Sequence, residues 1–282
     1  MAEDRLQLQR LELKYRISEV KALAVRDFVR SYLEIDEYGA DKPDLSYPIH
    51  SLYLDSDVLT TYHWTLNSNK NRYKLRLRYY DDRPTSPVFF EVKRRMDNAI
   101  LKQRGGVRKQ AVAGLLSGHL PVPEHLLSEQ PKHFVALQRF TQLMTHLRAS
   151  PKAHVAYLRE AWVSTRDNSI RVTMDREVKV APEFSAELRT NISGYALPFG
   201  KTVILEIKFT GRFPNWFMDL VHELDLERSS AAKYVEGIDA AGHERFLPQW
   251  SCRAFDATDS EFEKGAHLTA PKGNDFETEM YD

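Results

Sequence analysis

The chain has 282 residues, 42% of them hydrophobic and 28% charged, and its 40 basic residues balance its 40 acidic ones. This is the composition of a globular protein with one large or two small domains, and the neutral balance disfavours a generic nucleic-acid binder, which is usually basic. Cys252 is the only cysteine, which excludes a disulfide or a cysteine metal site within one chain. The sequence has no apolar run of membrane-spanning length and no visible signal peptide, and together these features predict a cytoplasmic protein.

Alternation of charged and apolar residues predicts five strands in the first half of the chain, at residues 10–16, 49–55, 73–79, 88–95 and 100–104. The first strand is followed by a helix with its N-cap at Ser18 that ends before Gly39. A second helix is predicted at 57–67. Asp97-Asn98 predicts a tight turn, and Gly105-Gly106 is expected to end the fifth strand.

The second half begins with helical stripes between residues 108 and 148, interrupted by prolines, and continues with strands at 154–162, 170–176 and 203–209. Asp167-Asn168 predicts a hairpin turn, and Pro214 begins a helix. One more short element opens at Lys233. Beyond Trp250 the sequence is polar and acidic. We therefore predict one domain over residues 1–250 and a disordered acidic tail over 251–282.

Three predicted strands contain the pattern Glu-x-Lys, and other strands place further charges two residues apart. Side chains two apart in a strand point to the same face, so each of these strands has one charged face and one apolar face. The charged faces carry Glu12 and Lys14; Lys74, Arg76 and Arg78; Glu91 and Lys93; Lys102 and Arg104; Arg159; Arg171 and Asp175; and Glu206 and Lys208.

A fold that turns many charged strand faces toward each other is a closed antiparallel β-barrel of the α+β class, with helices packed on its outside. The lumen cations outnumber the carboxylates, which favours a polyanionic ligand with repeated phosphates. The carboxylates suit a hard divalent cation, Mn²⁺ or Mg²⁺. The alternative is a set of internal salt bridges without a ligand. The sequence has no Gly-rich phosphate loop, no zinc motif and no nucleophile elbow.

At these residues the sequence resembles the VTC domain, the polyphosphate polymerase core of the vacuolar transporter chaperone complex, within the CYTH-like triphosphate tunnel metalloenzyme superfamily. The resemblance runs in order over roughly residues 10–236 as a set of short segments. They are Leu11-Glu12-Leu13-Lys14-Tyr15, Ser51-Leu52-Tyr53-Leu54-Asp55-Ser56, Lys74-Leu75-Arg76-Leu77-Arg78-Tyr79, Glu91-Val92-Lys93-Arg94-Arg95, Lys102-Gln103-Arg104, Tyr157-Leu158-Arg159-Glu160-Ala161, Arg171-Val172-Thr173-Met174-Asp175, Leu205-Glu206-Ile207-Lys208-Phe209 and Ala232-Lys233-Tyr234.

The resemblance implies a tunnel of eight antiparallel strands with Glu206 as the main metal ligand for Mn²⁺ or Mg²⁺, joined by Glu12, Glu91 and Asp175. It implies a catalytic set of Arg76, Arg78, Lys93, Arg159, Arg171 and Lys233. With the strand faces above, the expected phosphate-binding set is Lys14, Lys74, Arg76, Arg78, Lys93, Lys102, Arg104, Tyr157, Arg159, Arg171, Lys208 and Lys233.

Two departures from the family pattern affect the expected function. Many tunnel hydrolases open with Glu-x-Glu-x-Lys, and here Arg10 stands at the first position, which favours a polymerase that extends polyphosphate from ATP. A tunnel triphosphatase and a non-catalytic polyphosphate or nucleotide binding module remain the alternatives. Eukaryotic VTC proteins also carry an SPX domain and membrane helices, which this sequence lacks. It resembles stand-alone bacterial members, and delivery across a membrane would need a separate membrane protein as partner.

Overall fold

The computed structural model describes residues 10–97, 99–165, 169–211 and 213–248. The contacts of the chain group the residues up to Leu247 into one unit. The expected acidic tail at 251–282 and the hairpin turn at Asp167-Asn168 lie outside the described residues, so the domain boundary near residue 250 stays a prediction.

The residues that the structure describes contain nine strands, which form one antiparallel sheet. They are β1 (Arg10–Ile17), β2 (Glu34–Ile35), β3 (Ser46–Asp55), β4 (Asn71–Tyr79), β5 (Val88–Met96), β6 (Ala99–Val107), β7 (Ser150–Val163), β8 (Ile170–Pro182) and β9 (Val203–Thr210). The strand order is β1-β9-β8-β7-β3-β4-β5-β6, and β2 pairs with β7 outside this path. All of the ladders are antiparallel.

Seven α-helices accompany the sheet within the described ranges. They are α1 (Glu19–Val29), α2 (Glu37–Ala40), α3 (Thr60–Leu66), α4 (Val112–Leu116), α5 (Pro131–Leu147), α6 (Asn215–Glu223) and α7 (Lys233–Ala241). None of the helices in this part of the chain combines the length and the apolar character that a bilayer crossing requires.

The sheet curls, so that β1 and β5 approach each other across its concave face. Lys93 Nζ of β5 lies 3.2 Å from Glu12 Oε2 of β1, although β1 is the first strand of the order and β5 is the next to last. No ladder joins β1 to β6 among the residues described. The described residues therefore form a curled antiparallel sheet of the α+β class, and backbone hydrogen bonds between its first and last strands, which would close the expected barrel, are not seen among them.

Two apolar cores cover the outside of the sheet. One packs α4 and α5 on β3–β6, through residues such as Leu75, Phe90 and Phe140. The other packs α1 and α6 on β1 and β7–β9, through Val25, Leu205 and Phe217. These helices lie where the apolar strand faces predicted them.

Helix α7 lies instead on the concave face, which corrects the expectation that all helices pack outside. Its residues Tyr234, Val235 and Ile238 share a core with Val155 and Val180 of the concave side. Apolar residues replace charges on this part of the sheet, so it needs a cover. The charged part of the concave face therefore lies on β1, β9 and β4–β6, together with Arg159 of β7 and Asp175 of β8.

Gly237 allows α7 to approach the sheet closely, because a Cβ added there would lie 2.4 Å from Val180 Cγ2. We expect Gly237→Ala to lower the free energy of unfolding by about 1–3 kcal/mol through overpacking, although alanine gains about 1 kcal/mol of helix propensity. Urea denaturation would measure this. Gly114→Ala in α4 is the control, since its near neighbour is the movable His119 side chain at 2.9 Å. Equal effects of both substitutions would contradict the close packing of α7.

Several element boundaries differ from the predicted ones. The helix expected up to Gly39 ends at Val29, and the rest forms β2 and α2, with Asp36 accepting a hydrogen bond from Tyr38 N at 3.1 Å as the N-cap of α2. β6 continues through Gly105 and Gly106 to Val107 because α5 lies against it; a Cβ on Gly105 would be 2.8 Å from the His133 carbonyl oxygen. β3, β7 and β8 are longer than predicted.

Candidate functional site

The ladders bring the charged residues of distant strands together on the concave face. Lys14 is opposite Glu206, and Glu12 is opposite Lys208. Arg76 faces Glu91 on one side and Tyr53 on the other. Antiparallel neighbours on one face have Cβ atoms about 4.5–5.5 Å apart, so the alternation seen in the sequence becomes a continuous charged surface. We refer to its ionic residues as the charged cluster.

Glu91 is the centre of one part of this cluster. Its carboxylate is almost fully buried at 1% exposure. Arg76 NH2 lies 2.7 Å from Oε2, Lys102 Nζ lies 2.7 Å from Oε1, and Arg104 Nε lies 3.7 Å from Oε1. Arg76 also donates a 3.1 Å hydrogen bond to the Tyr53 hydroxyl. One carboxylate thus serves three cations.

Glu12 and Glu206 form the second part, on β1 and β9. Lys14 Nζ lies 3.3 Å from Glu12 Oε1 and 3.7 Å from Glu206 Oε1. Lys93 approaches Glu12, and Lys208 Nζ lies 2.6 Å from Glu206 Oε2. The shared Lys14 shows that these two carboxylates are close neighbours in space.

Asp175, Arg159 and Lys233 form the third part, with no exposed atom on Asp175. Arg159 binds both oxygens of the carboxylate, through Nε at 2.6 Å and NH2 at 2.7 Å. Lys233 Nζ lies 2.7 Å from Asp175 Oδ2 and 2.9 Å from Glu206 Oε1. The first residue of α7 therefore links the second and third parts.

Arg171 occupies a separate position at one end of the charged cluster. Its NH2 group donates to Asp36 Oδ2 at 2.7 Å and to the Tyr47 hydroxyl at 3.3 Å. Asp36 was not predicted as a site residue, because it lies in a stretch predicted to be helical. Tyr47 and Tyr53 were also missed, since the alternation of β3 carries no charge. Their common position on one face of β3 was the available signal.

Two cations of the cluster have no carboxylate within ion-pair distance among the described residues. Arg78, at 7% exposure, donates from NH2 to the Tyr157 hydroxyl at 3.0 Å, and its Nε has no hydrogen-bond partner there. Lys74 Nζ lies 5.6 Å from the centre of the Tyr234 ring. The whole cluster has ten cations (Lys14, Lys74, Arg76, Arg78, Lys93, Lys102, Arg104, Arg159, Lys208 and Lys233) and four carboxylates (Glu12, Glu91, Asp175 and Glu206).

The surrounding cations keep the carboxylates ionised. Burial alone would raise the pKa of Glu12, but the charges of Lys93 and Lys208 outweigh it and lower the pKa to about 2. The pKa of Glu206 is held well below its usual value by Lys208 and Lys233 against the effect of burial. Ionised carboxylates with such low pKa values are weak proton acceptors.

In two lysines of the cluster the pKa is also lowered, which here favours the uncharged form. Burial and then the charges of Lys14 and Lys93 lower the pKa of Lys74 to about 7. Burial lowers the pKa of Lys102 to about 7 as well, although Glu91 opposes it. Both amines therefore lose their protons near neutral pH, unless an anion arrives.

We expect triphosphate binding at pH 8.5 to take up protons, because the anion restores the charge of Lys74 and Lys102. Affinity should fall as pH rises above 7, by up to about tenfold per pH unit for each amine. Calorimetry in buffers of different ionisation enthalpy would measure the uptake. Lys74→Met should remove the part of the proton uptake that belongs to the Lys74 amine. Lys42 is exposed, and Lys42→Met should leave the proton uptake unchanged. Full uptake in Lys74→Met would contradict the assignment.

The fit of a divalent metal depends on the carboxylates. No group of three or more His, Cys, Asp or Glu side chains in the described part of the chain is arranged to hold a metal by itself. Glu12 and Glu206 offer neighbouring carboxylate oxygens, the ligand type that Mg²⁺ and Mn²⁺ prefer, and Mg²⁺ is often bound by one or two carboxylates together with substrate phosphates. The donors therefore fit a cation that arrives with a phosphate ligand.

A curled antiparallel sheet with a buried, cation-rich concave face defines an anion-binding protein of the tunnel type. The sequence profile of the VTC domain matches residues 9–241, and the chain belongs to this family of triphosphate-binding tunnel enzymes. No curated protein matches the chain.

Solved structures are similar to the chain at low identity. A candidate adenylate cyclase from Bacillus halodurans has 12% identity and a TM-score of 0.45, with 79% of this chain and 94% of that chain covered. A Pyrococcus horikoshii protein has 14% identity and a TM-score of 0.40, covering 80% and 96%. A candidate adenylate cyclase from Vibrio parahaemolyticus has 11% identity and a TM-score of 0.41, covering 81% and 97%.

Proposed function

We propose that this protein is a metal-dependent polyphosphate polymerase that transfers the γ-phosphate of ATP to a growing polyphosphate chain. The observation that supports it is the excess of basic side chains in the charged cluster, ten against four carboxylates, which remains when Lys74 and Lys102 are uncharged. Buried cations without counter-charges are costly. A ligand with several phosphates in a row would supply the missing negative charge at several points along the concave face.

In this proposal the catalytic residues act by position and charge. Arg76, Arg78 and Lys93 hold the phosphates from the β4–β5 side, and Arg159, Arg171 and Lys233 hold them from the β7–β8 side. Arginine donates several N–H groups in a fixed plane that matches phosphate oxygens. Such fixed donors stabilise the charge that develops on the transferred phosphoryl group.

Glu206 and Glu12 would hold the divalent cation, Mn²⁺ or Mg²⁺, and a bound cation would neutralise charge on the reacting phosphates. Glu91 and Asp175, also expected as metal ligands, have arginine as well as lysine partners, whereas the ion-pair partners of Glu12 and Glu206 among the described residues are lysines. We propose that Glu91 and Asp175 keep their cations in place.

The same ion pairs favour phosphate transfer over hydrolysis. The attacking phosphate of a polyphosphate chain is already ionised and needs no general base, whereas an attacking water molecule must lose a proton. The four carboxylates of the cluster are all ion-paired, and their low pKa values make them poor bases. We therefore place the tunnel triphosphatase second and the non-catalytic binding module third. A cytoplasmic location, a membrane partner protein and a tunnel closed around the ligand belong to the same proposal.

Incubation of the purified chain with ATP and either Mn²⁺ or Mg²⁺ tests the proposal. We expect acid-insoluble polyphosphate and ADP in equal phosphate equivalents, and loss of both products in Glu206→Gln. Orthophosphate without chain growth would overturn the polymerase in favour of a hydrolase. Binding of ATP with no product under either metal would leave only the binding module. The exposed Glu177→Gln (side chain 61% exposed) is the matched control.

A further inference from the structure

Four aromatic side chains adjoin the charged cluster at the end where Arg171 lies. We refer to Tyr38, Tyr47, Tyr80 and Phe89 as the aromatic cluster. The rings of Tyr38 and Tyr80 are parallel, at an interplanar angle of 1° and a centroid distance of 5.9 Å. Tyr47 lies 5.6 Å from Tyr38, and Phe89 lies 6.1 Å from Tyr80 in an edge contact. Tyr38 is 58% exposed, so part of this aromatic surface is open to a ligand.

Cations of the phosphate-binding set touch the aromatic cluster. The Arg104 guanidinium carbon lies 3.4 Å from the centre of the Phe89 ring. Phe89 is the ladder partner of Arg78, and Tyr47 is the ladder partner of Arg159. A ligand that places its phosphates on these arginines would therefore have its next group beside aromatic rings.

Asp36 ties the two clusters together. One oxygen of its buried carboxylate accepts the N–H of Tyr38 at 3.1 Å, and the other accepts Arg171 at 2.7 Å. Tyr38 is thus fixed relative to an arginine of the phosphate-binding set. The N–H hydrogen bond fixes the backbone of Tyr38, and its ring is held by contacts with the rings of Tyr80 and Tyr47, so the exposed tyrosine has a defined position beside the charged site.

We propose that the aromatic cluster is a nucleobase subsite, in which the base of a nucleoside triphosphate stacks against Tyr38 while its phosphates extend into the charged cluster. This inference rests on the proposed function and adds the place where the base of the nucleoside triphosphate binds. Stacking on an aromatic ring is tolerant of base identity because every base has a π-face. The polyphosphate product would then extend away from the aromatic cluster, toward Lys14 and Lys74.

Binding of ATP compared with methyl triphosphate, a triphosphate monoester without a base, tests this subsite. We expect calorimetry to give about tenfold tighter binding for ATP, from the energy of one stacked base. Tyr38→Ala should reduce ATP to the affinity of methyl triphosphate, whose own affinity stays unchanged. Tyr38→Phe should retain the preference, and GTP should behave as ATP does. Tyr32→Ala, at a tyrosine of 49% exposure beyond α1, is the control.

Equal affinities of the two ligands for the unsubstituted protein would overturn the subsite, and so would equal weakening of both in Tyr38→Ala. A different result would show that the proposed function, and not only the nucleobase subsite, is wrong. If Arg78→Met leaves methyl triphosphate binding unchanged, the triphosphate does not occupy the charged cluster. If neither ligand binds, both proposals are wrong.

Discussion

Replacement of Arg78 by methionine should reduce polyphosphate synthesis by about 100-fold, which corresponds to the loss of one preorganised charged donor. The same substitution should leave the free energy of unfolding of the ligand-free protein unchanged or raise it by about 1 kcal/mol. Arg78 is a buried cation with no carboxylate within ion-pair distance among the described residues. Glu91, which its charge reaches, already pairs with Arg76 and Lys102. Replacing a buried charge that has no ion-pair partner of its own by an apolar side chain removes a desolvation cost. Product assays and urea denaturation would measure the two effects.

A loss of synthesis without a loss of stability would identify Arg78 as a ligand-binding residue. If Arg78 had only a structural role, its replacement would lower the free energy of unfolding of the protein. Arg30→Met is the matched control, since that arginine is 66% exposed and pairs with Asp27 on the outside; it should change neither quantity measurably. Substantial destabilisation by Arg78→Met would contradict the view that its charge awaits a ligand.

Replacement of Asp175 by asparagine should lower the free energy of unfolding by about 3–5 kcal/mol, the cost of leaving buried charge uncompensated. Its carboxylate is fully buried and binds both Arg159 and Lys233. The asparagine has nearly the same shape, so the loss would come from charge. Thermal and chemical denaturation would measure it.

Tripolyphosphate provides the second arm of this experiment. An anion in the charged cluster would replace part of the lost negative charge, so the ligand should raise the melting temperature of Asp175→Asn more than that of the unsubstituted protein. Asp27→Asn, at a side chain 72% exposed, should lose less than about 1 kcal/mol and show the ordinary ligand response. An equal response of both variants would contradict the charge exchange.

Alternation in the sequence was sufficient to predict the charged strand faces. Glu12 and Lys14, Lys74 to Arg78, Glu91 and Lys93, and Glu206 and Lys208 all take part in the charged cluster. Local alternation decides the face of a side chain because the period of a strand is two. The apolar stripes of α1, α5 and α6 likewise predicted the outer cores.

Ion-pair partners could not be predicted in this way. Lys93 meets Glu12 across 81 positions of sequence, and Lys233 meets Asp175 and Glu206. These contacts depend on the curl of the sheet and on the register of strands far apart in the chain. The side of the sheet on which α7 packs could not be predicted either, because its apolar stripe indicates only that the helix is packed. Asp36 could not be predicted because it lies between β2 and α2, which have two and four residues and are too short to give a periodic pattern.

The missing ladder between β1 and β6 affects how a long polymer could enter and leave. A tube sealed all round by backbone hydrogen bonds admits a chain only by threading one end through it. Here the ion pair of Glu12 and Lys93, 3.2 Å apart, is one of the ties between the two sides, and side-chain ties exchange faster than strands separate. Exchange of this ion pair would let a polymer enter from the side, along its length and without a free end, before the tunnel closes around it.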